Sequence, residues 1–235
     1  MELITLKDFN NLSKTVSISL YKVYYVKSLK ERKKYFDFII ENNSEKLASI
    51  FKGWTNSIGA NILSISKQDY NPLGNSVNIL ISEGKVEKEI LDLSCNEGNF
   101  LVHLDKSHIS LHTYPEIDYS IKNNVYRLDI DIQTCGNISP INLAENIITT
   151  FKPDVISIDY KVRGINREGD EGFDFGEKII NKISSFLNKE TKLKYNILES
   201  VYKEGKISFA KLRKRDLDNL DCEDEINNIF NNCIL

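Results

Sequence analysis

Polar and apolar residues alternate with a period of two along several short stretches of this chain, and recur with a helical period along others. "SISLYKVYYV", from Ser17 to Val26, alternates and is rich in β-branched and aromatic residues, which predicts a strand. The period then changes. In "SLKERKKYFDFIIEN" Ser28 and Glu31 have the spacing of a capping box, and Phe36, Ile39 and Ile40 share a helical face. "SEKLASIFKGW", Ser44 to Trp54, predicts a second helix with Leu47, Ile50, Phe51 and Trp54 on its stripe. "ANILSIS" and "SVNILIS" read as two strands, joined by "DYNPLGN", in which Pro72 and Gly74 supply turn chemistry. "EGKVEKEILDLSCNEGN", from Glu83 to Asn99, is polar and punctuated by glycine, and no element is assigned to it.

The second half follows a similar order of elements. "HISLHT" and the longer "VYRLDIDIQT", Val125 to Thr134, alternate as strands. Ser139 and Pro140 open a helix, because proline at the first helical position lacks only an N–H that would have no partner there. Ala144, Ile147, Ile148 and Phe151 form its apolar face. "DVISIDYKV" is another strand, and "FGEKIINKISSFLN" another amphipathic helix through Ile179, Ile180, Ile183, Phe186 and Leu187. "KISFAKL" reads as a last strand. Strands with intervening helices and no low-complexity linker predict one domain, 1–235, with a sheet covered by helices on one face.

Composition narrows the function classes. The chain has 235 residues, 41% of them hydrophobic and 28% charged, as in an ordinary globular protein. Its net charge of -3 gives no electrostatic case for nucleic acid, which calls for a clustered basic surface. The nearest approach, "KLRKR" from Lys211 to Arg215, is followed at once by acids and reads as a solvated element end. No apolar run is long enough to cross a bilayer, and "MELITLKDFNNLSK" lacks the apolar core of a signal peptide. Cys95, Cys135, Cys222 and Cys233 form no C-x-x-C pair. A cytoplasmic location is expected, with no membrane partner.

All three histidines, His103, His108 and His112, fall in "HLDKSHISLHTYPE". Imidazole titrates near neutral pH, so the cluster raises proton transfer or metal binding. His108, Ser110 and His112 share one face of the predicted strand, with Ile109 and Leu111 on the other. Two readings of the residues stay open. One is a zinc or iron site from the three histidines with Asp105 or Glu116. The other is acyl chemistry at Ser107 with a neighbouring histidine as acid/base, although no G-x-S-x-G elbow surrounds that serine.

"HLDKSHISLHTYPE", followed by "DIDIQTCGNISP", resembles the S-adenosylmethionine decarboxylase family, in its bacterial, enterobacterial-type, pyruvoyl-dependent group. "FNNLSK", "IGANILSISKQDYNPLGNSVNILIS" and "ISIDYKVRG" match as well, so the likeness extends to about residue 190. The resemblance implies an α/β (α+β) fold, a two-layer sandwich of a mainly antiparallel sheet with helices on one face. It implies a precursor that cuts itself between Lys106 and Ser107, giving chains 1–106 and 107–235. The Ser107 hydroxyl would convert the Lys106 amide to an ester, and β-elimination and hydrolysis would leave a pyruvoyl group at residue 107. That group, the implied cofactor, forms a Schiff base with the substrate's α-amine and draws off the electrons left by carbon dioxide. The family's processing acid/base falls on His112 and its proton donor on Cys135. His108 follows the cut directly, and neither it nor His103 takes a role from the family.

The resemblance also implies S-adenosylmethionine as substrate, a product that feeds spermidine synthesis, a homo-oligomer of processed protomers, and Mg2+ as an activator rather than a bound catalytic metal. The wording departs from the group after "VRGINRE", and Leu128 and Gln133 stand where smaller residues are usual. Arginine or ornithine is therefore kept as an alternative substrate, and a non-catalytic regulatory homologue as a third reading.

Overall fold

In the computed structural model the first alternating stretch forms a strand of 13 residues, β1 (Ser13–Tyr25). The structure describes residues 9–10, 12–83, 106–135, 138–164, 166–167, 173–174, 182–202 and 206–233. Helices α1 (Leu29–Glu41) and α2 (Ser44–Ser57) follow. The predicted capping box is present: the Glu31 N–H donates to Ser28 Oγ, and the Ser28 N–H donates back to the Glu31 carboxylate. The buried stripe of α1 is offset from the predicted one. Tyr35 and Ile39 are buried while Ile40 is 60% exposed. Tyr35 takes the inward place because it is amphipathic: its ring lies 4.9 Å from that of Tyr24, and its hydroxyl donates to the Val125 carbonyl.

Strands β2 (Asn61–Asp69) and β3 (Asn75–Ser82) come next, then β4 (Lys106–Pro115) and β5 (Asn123–Thr134). A short 3₁₀ turn, Pro140–Leu143, leads into α3 (Ala144–Phe151). Pro140 opens that turn as expected, but the Ser139 side chain makes no capping bond. Strand β6 (Val155–Arg163), helix α4 (Lys189–Lys194), strands β7 (Tyr195–Tyr202) and β8 (Ile207–Lys214), and helix α5 (Glu223–Asn232) complete the chain. The eight strands form one sheet in the order β7-β8-β6-β1-β5-β4-β3-β2, with every neighbouring pair antiparallel. Three two-residue strands, Phe9–Asn10, Asn166–Arg167 and Phe173–Asp174, make a separate small sheet.

Period-two alternation sorts the sheet into two faces. Val16, Ile18 and Leu20 of β1, Ile109 and Leu111 of β4, and Leu128, Ile130 and Ile132 of β5 form one core with Tyr35, Ile39, Leu47, Phe51, Ile147 and Ile148 of the helices. Among the described residues, α5 packs on one end of the opposite face. Cys222 and Ile226 pack there on Val23 and Val155 in a second, smaller cluster.

Three expectations need correction. The run Lys211–Arg215 is not simply solvated: Lys211 is 7% exposed, and Arg213 lies under α5, donating to Asn227 and Glu223. Those contacts fix a helix that no sequence signal had suggested. Residues 183–186 of the predicted late helix form a 3₁₀ turn, with Ile183 and Leu187 buried, while Ile179 and Ile180 lie outside the described residues. The strand β7 was not foreseen at all. No helix among the described residues is long and apolar enough to cross a membrane.

Candidate active site

Strand β4 lies between β3 and β5, and its register fixes what each residue meets. Ile81 stands opposite Ser107, and Ile79 opposite Ile109. By alternation Ser107 shares its face with Ile109 and Leu111, so it points into the helix-covered side, 1% exposed. Its hydroxyl donates to Glu83 Oε1 at 3.3 Å and accepts the Cys135 N–H at 3.1 Å. The turn after β5 is tied down around that contact. The Thr134 hydroxyl, fully buried, donates to the Ile138 carbonyl at 2.7 Å, and the Ile138 N–H donates to Glu83 Oε2 at 2.8 Å. One carboxylate thus bridges the serine and the cysteine turn. Lys14, paired with Thr134 across β1 and β5, is only 1% exposed.

The histidines lie elsewhere. His108 is exposed, and His112 stands on the open face with Ser110, whose hydroxyl is 3.3 Å from its Nε2. The His112 ring stacks 6.4 Å from that of Tyr114, and its ladder partners are Ser76 and Asp129. It stands five positions beyond Ser107 on the strand, roughly 16 Å along the backbone. The single cluster suggested by the sequence is therefore two sites on opposite faces. Ser107 and Cys135 come together, and His112 does not touch Ser107 of its own chain. Strand parity causes the split, since residues at odd spacing project to opposite sides.

The metal reading of the same stretch finds no ligand set. Among the described residues no three of His, Cys, Asp and Glu gather as metal ligands. Glu116 instead accepts the Val125 N–H at 2.9 Å, and His103, Asp105 and Cys95 lie outside the described residues. Backbone pairing places Lys106 opposite Ser82 at the first position of β4. Glu83 was missed by sequence reasoning because it reaches Ser107 from 24 residues upstream, through the β3–β4 register.

A family model described as S-adenosylmethionine decarboxylase matches residues 37–164, a span that holds Glu83, Ser107, His112 and Cys135. The chain belongs to the S-adenosylmethionine decarboxylase family. It is 40% identical over 224 residues to the S-adenosylmethionine decarboxylase proenzyme of Alkaliphilus oremlandii (strain OhILAs), covering 92% of this chain and 83% of that protein. The proenzyme of Halorhodospira halophila (strain DSM 244 / SL1) is 41% identical over 226 residues, with the same coverage. The adenosylmethionine decarboxylase crystal structure from Aquifex aeolicus VF5 overlaps at a TM-score of 0.39 and 18% identity, covering 71% of this chain and 99% of that one, too loosely to bear on the site.

Within this family member, the cysteines separate by environment. Cys222 is buried under α5, and burial, aided by the Asp154 and Asp221 carboxylates, pushes its thiol up to about 11. Burial likewise raises the Cys233 thiol. Cys135 is partly exposed, unpaired with another sulfur, and the one described cysteine beside Ser107. A hydroxyl oriented by a backbone N–H and a carboxylate is an arrangement suited to acyl transfer at Ser107.

Proposed function

We propose that this chain is a self-processing, pyruvoyl-dependent decarboxylase of the enterobacterial-type group. It converts S-adenosylmethionine to its decarboxylated form and carbon dioxide, for aminopropyl transfer in spermidine synthesis. The observation that carries the reading is the Ser107 hydroxyl, buried at the start of β4 and held between the Cys135 N–H and a carboxylate. Relatives at 40% identity that are named proenzymes support it.

Cleavage between Lys106 and Ser107 divides the chain into 1–106 and 107–235. The fold tolerates that cut, because 107–235 keeps β4 between its partners through the remaining ladders with β3 and β5. Residue 107 fits a pyruvoyl group, since the position is buried and, once Oγ has left with the Lys106 carboxyl, the Cys135 N–H that it held is free for another acceptor there. When formed, that group supplies the electron sink for loss of carbon dioxide. Cys135 returns the proton to the substrate carbon. His112 serves processing from a second copy, because in the intact strand it faces away from its own Ser107. A homo-oligomer supplies that second copy, with the sheet face that carries Ser110 and His112 turned toward its partner. Mg2+ acts as an activator, so chelation lowers turnover without undoing the cut.

The test is carbon dioxide release from S-adenosylmethionine, arginine and ornithine by purified protein. Release from S-adenosylmethionine alone is expected. Release from another amino acid alone would reassign the substrate, and none from any of them would leave the regulatory reading. Co-expression of Ser107→Ala with His112→Ala chains tests the partnership. The His112→Ala chain should be cut only when the other is present, and cutting of His112→Ala alone would remove His112 from processing.

A further inference from the structure

Converting the Lys106–Ser107 amide to an ester requires a base at the Ser107 hydroxyl. His112 of a second copy is assigned to the later elimination, and His112 of the same chain does not reach that hydroxyl. A different group does. Glu83 lies one residue past the end of β3, two residues beyond Ile81, the direct partner of Ser107. It therefore projects to the same face as Ser107 on the diagonal of the ladder. We propose that Glu83 is the catalytic base that starts self-cleavage. The inference rests on the processing reading above and adds to it the group that takes the serine proton.

The bonding pattern gives the direction of the step. A hydroxyl has one proton and two lone pairs. The Cys135 N–H occupies one lone pair at 3.1 Å, and the proton is directed to Glu83 Oε1 at 3.3 Å. The second lone pair is left for attack on the carbonyl carbon of Lys106. As the Oγ–C bond forms, the Oγ proton passes to the Glu83 carboxylate. The C–N bond then breaks, and the same carboxyl returns its proton to the departing Ser107 nitrogen, leaving an ester and a free amine. No net proton, electron or outside reagent is needed. The 3.3 Å contact is long for an O–H···O bond, and such contacts shorten as the reaction begins. Glu83 is held for the task by Oε2, which accepts the Ile138 N–H at 2.8 Å.

A merely structural Glu83 would pin the turn after β5 to the end of β3. Glu83→Gln separates the two roles, because its amide oxygen can still accept the Ile138 N–H while the basicity is gone. The experiment follows wild type, Glu83→Gln, Glu83→Asp and Ser107→Ala by intact mass from the start of cell-free synthesis. Each sample is split with and without hydroxylamine, which cuts an ester but not an amide. Thermal melting of the full chains reports folding.

Glu83→Gln should melt like Ser107→Ala and be cut about a hundredfold more slowly than wild type or worse, the usual loss of a general base. Hydroxylamine should not rescue it, because the ester never forms, and Glu83→Asp should recover part of the rate. Cleavage of Glu83→Gln at the wild-type rate would overturn the proposal and leave self-processing standing. So would accumulation of an ester that hydroxylamine cuts, since the first step would then be intact. A loss of cleavage that tracks a collapsed melting temperature, with Glu83→Asp no better, would assign Glu83 to structure alone. An uncut wild type would instead remove the processing reading itself.

Discussion

Replacing Cys135 by alanine separates the two chemistries assigned to Ser107 and its neighbours. The turn that carries Cys135 is fixed by three hydrogen bonds: Cys135 N–H to Ser107 at 3.1 Å, Thr134 hydroxyl to Ile138 at 2.7 Å, and Ile138 N–H to Glu83 at 2.8 Å. None of them uses the Cys135 side chain. Alanine keeps the N–H that orients the serine, so cleavage should proceed at the wild-type rate. The side chain is partly exposed, and losing it should cost less than about 1 kcal/mol of stability. Turnover should respond differently. A positioned proton donor contributes about 10²–10⁴-fold, or roughly 3–5 kcal/mol of barrier. The assay is paired: intact mass for the cut, and carbon dioxide release from S-adenosylmethionine for turnover. Full turnover in Cys135→Ala would remove the thiol from the mechanism. Failure to cut would show that the sulfur, not the backbone N–H, governs the Ser107 hydroxyl.

Thr134→Val, a change of similar shape, should do the opposite. It strips the Ile138 carbonyl of its 2.7 Å donor at a fully buried position, costing about 1–3 kcal/mol, and should slow cleavage by loosening the turn. Normal cleavage kinetics in that variant would show that the turn needs no such anchor. Ile109→Ala, next but one to Ser107 on the core face and fully buried, should lower stability by about 2–5 kcal/mol, measured by denaturant melting of the chain carrying Ser107→Ala so that both proteins are uncut. A loss under 1 kcal/mol would mean the core is not packed there as described. Asp154 gives a pH signature. Burial lifts its carboxyl above the ordinary range, against the pull of the Val23 N–H, Lys22 and Lys214. A raised carboxyl pKa favours folding below the unfolded value, and that contribution is lost as pH rises through the folded one. Asp154→Asn should therefore gain stability relative to wild type as pH is raised, and a gap independent of pH would contradict the assignment.

The fold was legible wherever alternation is strict. Ile109 and Leu111 announced the inner face of β4, and the Ser28–Glu31 spacing announced the start of α1. Helix α5 was hidden because most of its residues are polar and its seat depends on Arg213 of β8, a residue that reads as surface charge in isolation. The site was legible in its members but not in its arrangement. "KSHISLH" looks like one cluster along the chain, yet the parity that joins His108 to His112 also sends Ser107 to the other side. Glu83 became visible only with the register that sets Ile81 against Ser107, because spacing within one strand says nothing of its diagonal neighbours.

The whole account turns on the fate of the Lys106–Ser107 bond, and intact mass of freshly purified, active protein tests it most directly. Two fragments of about 12 and 15 kDa are expected, the larger beginning at residue 107 about 17 Da lighter than a serine terminus, as loss of ammonia to a keto group requires. A single full-length chain that releases carbon dioxide from S-adenosylmethionine would contradict it.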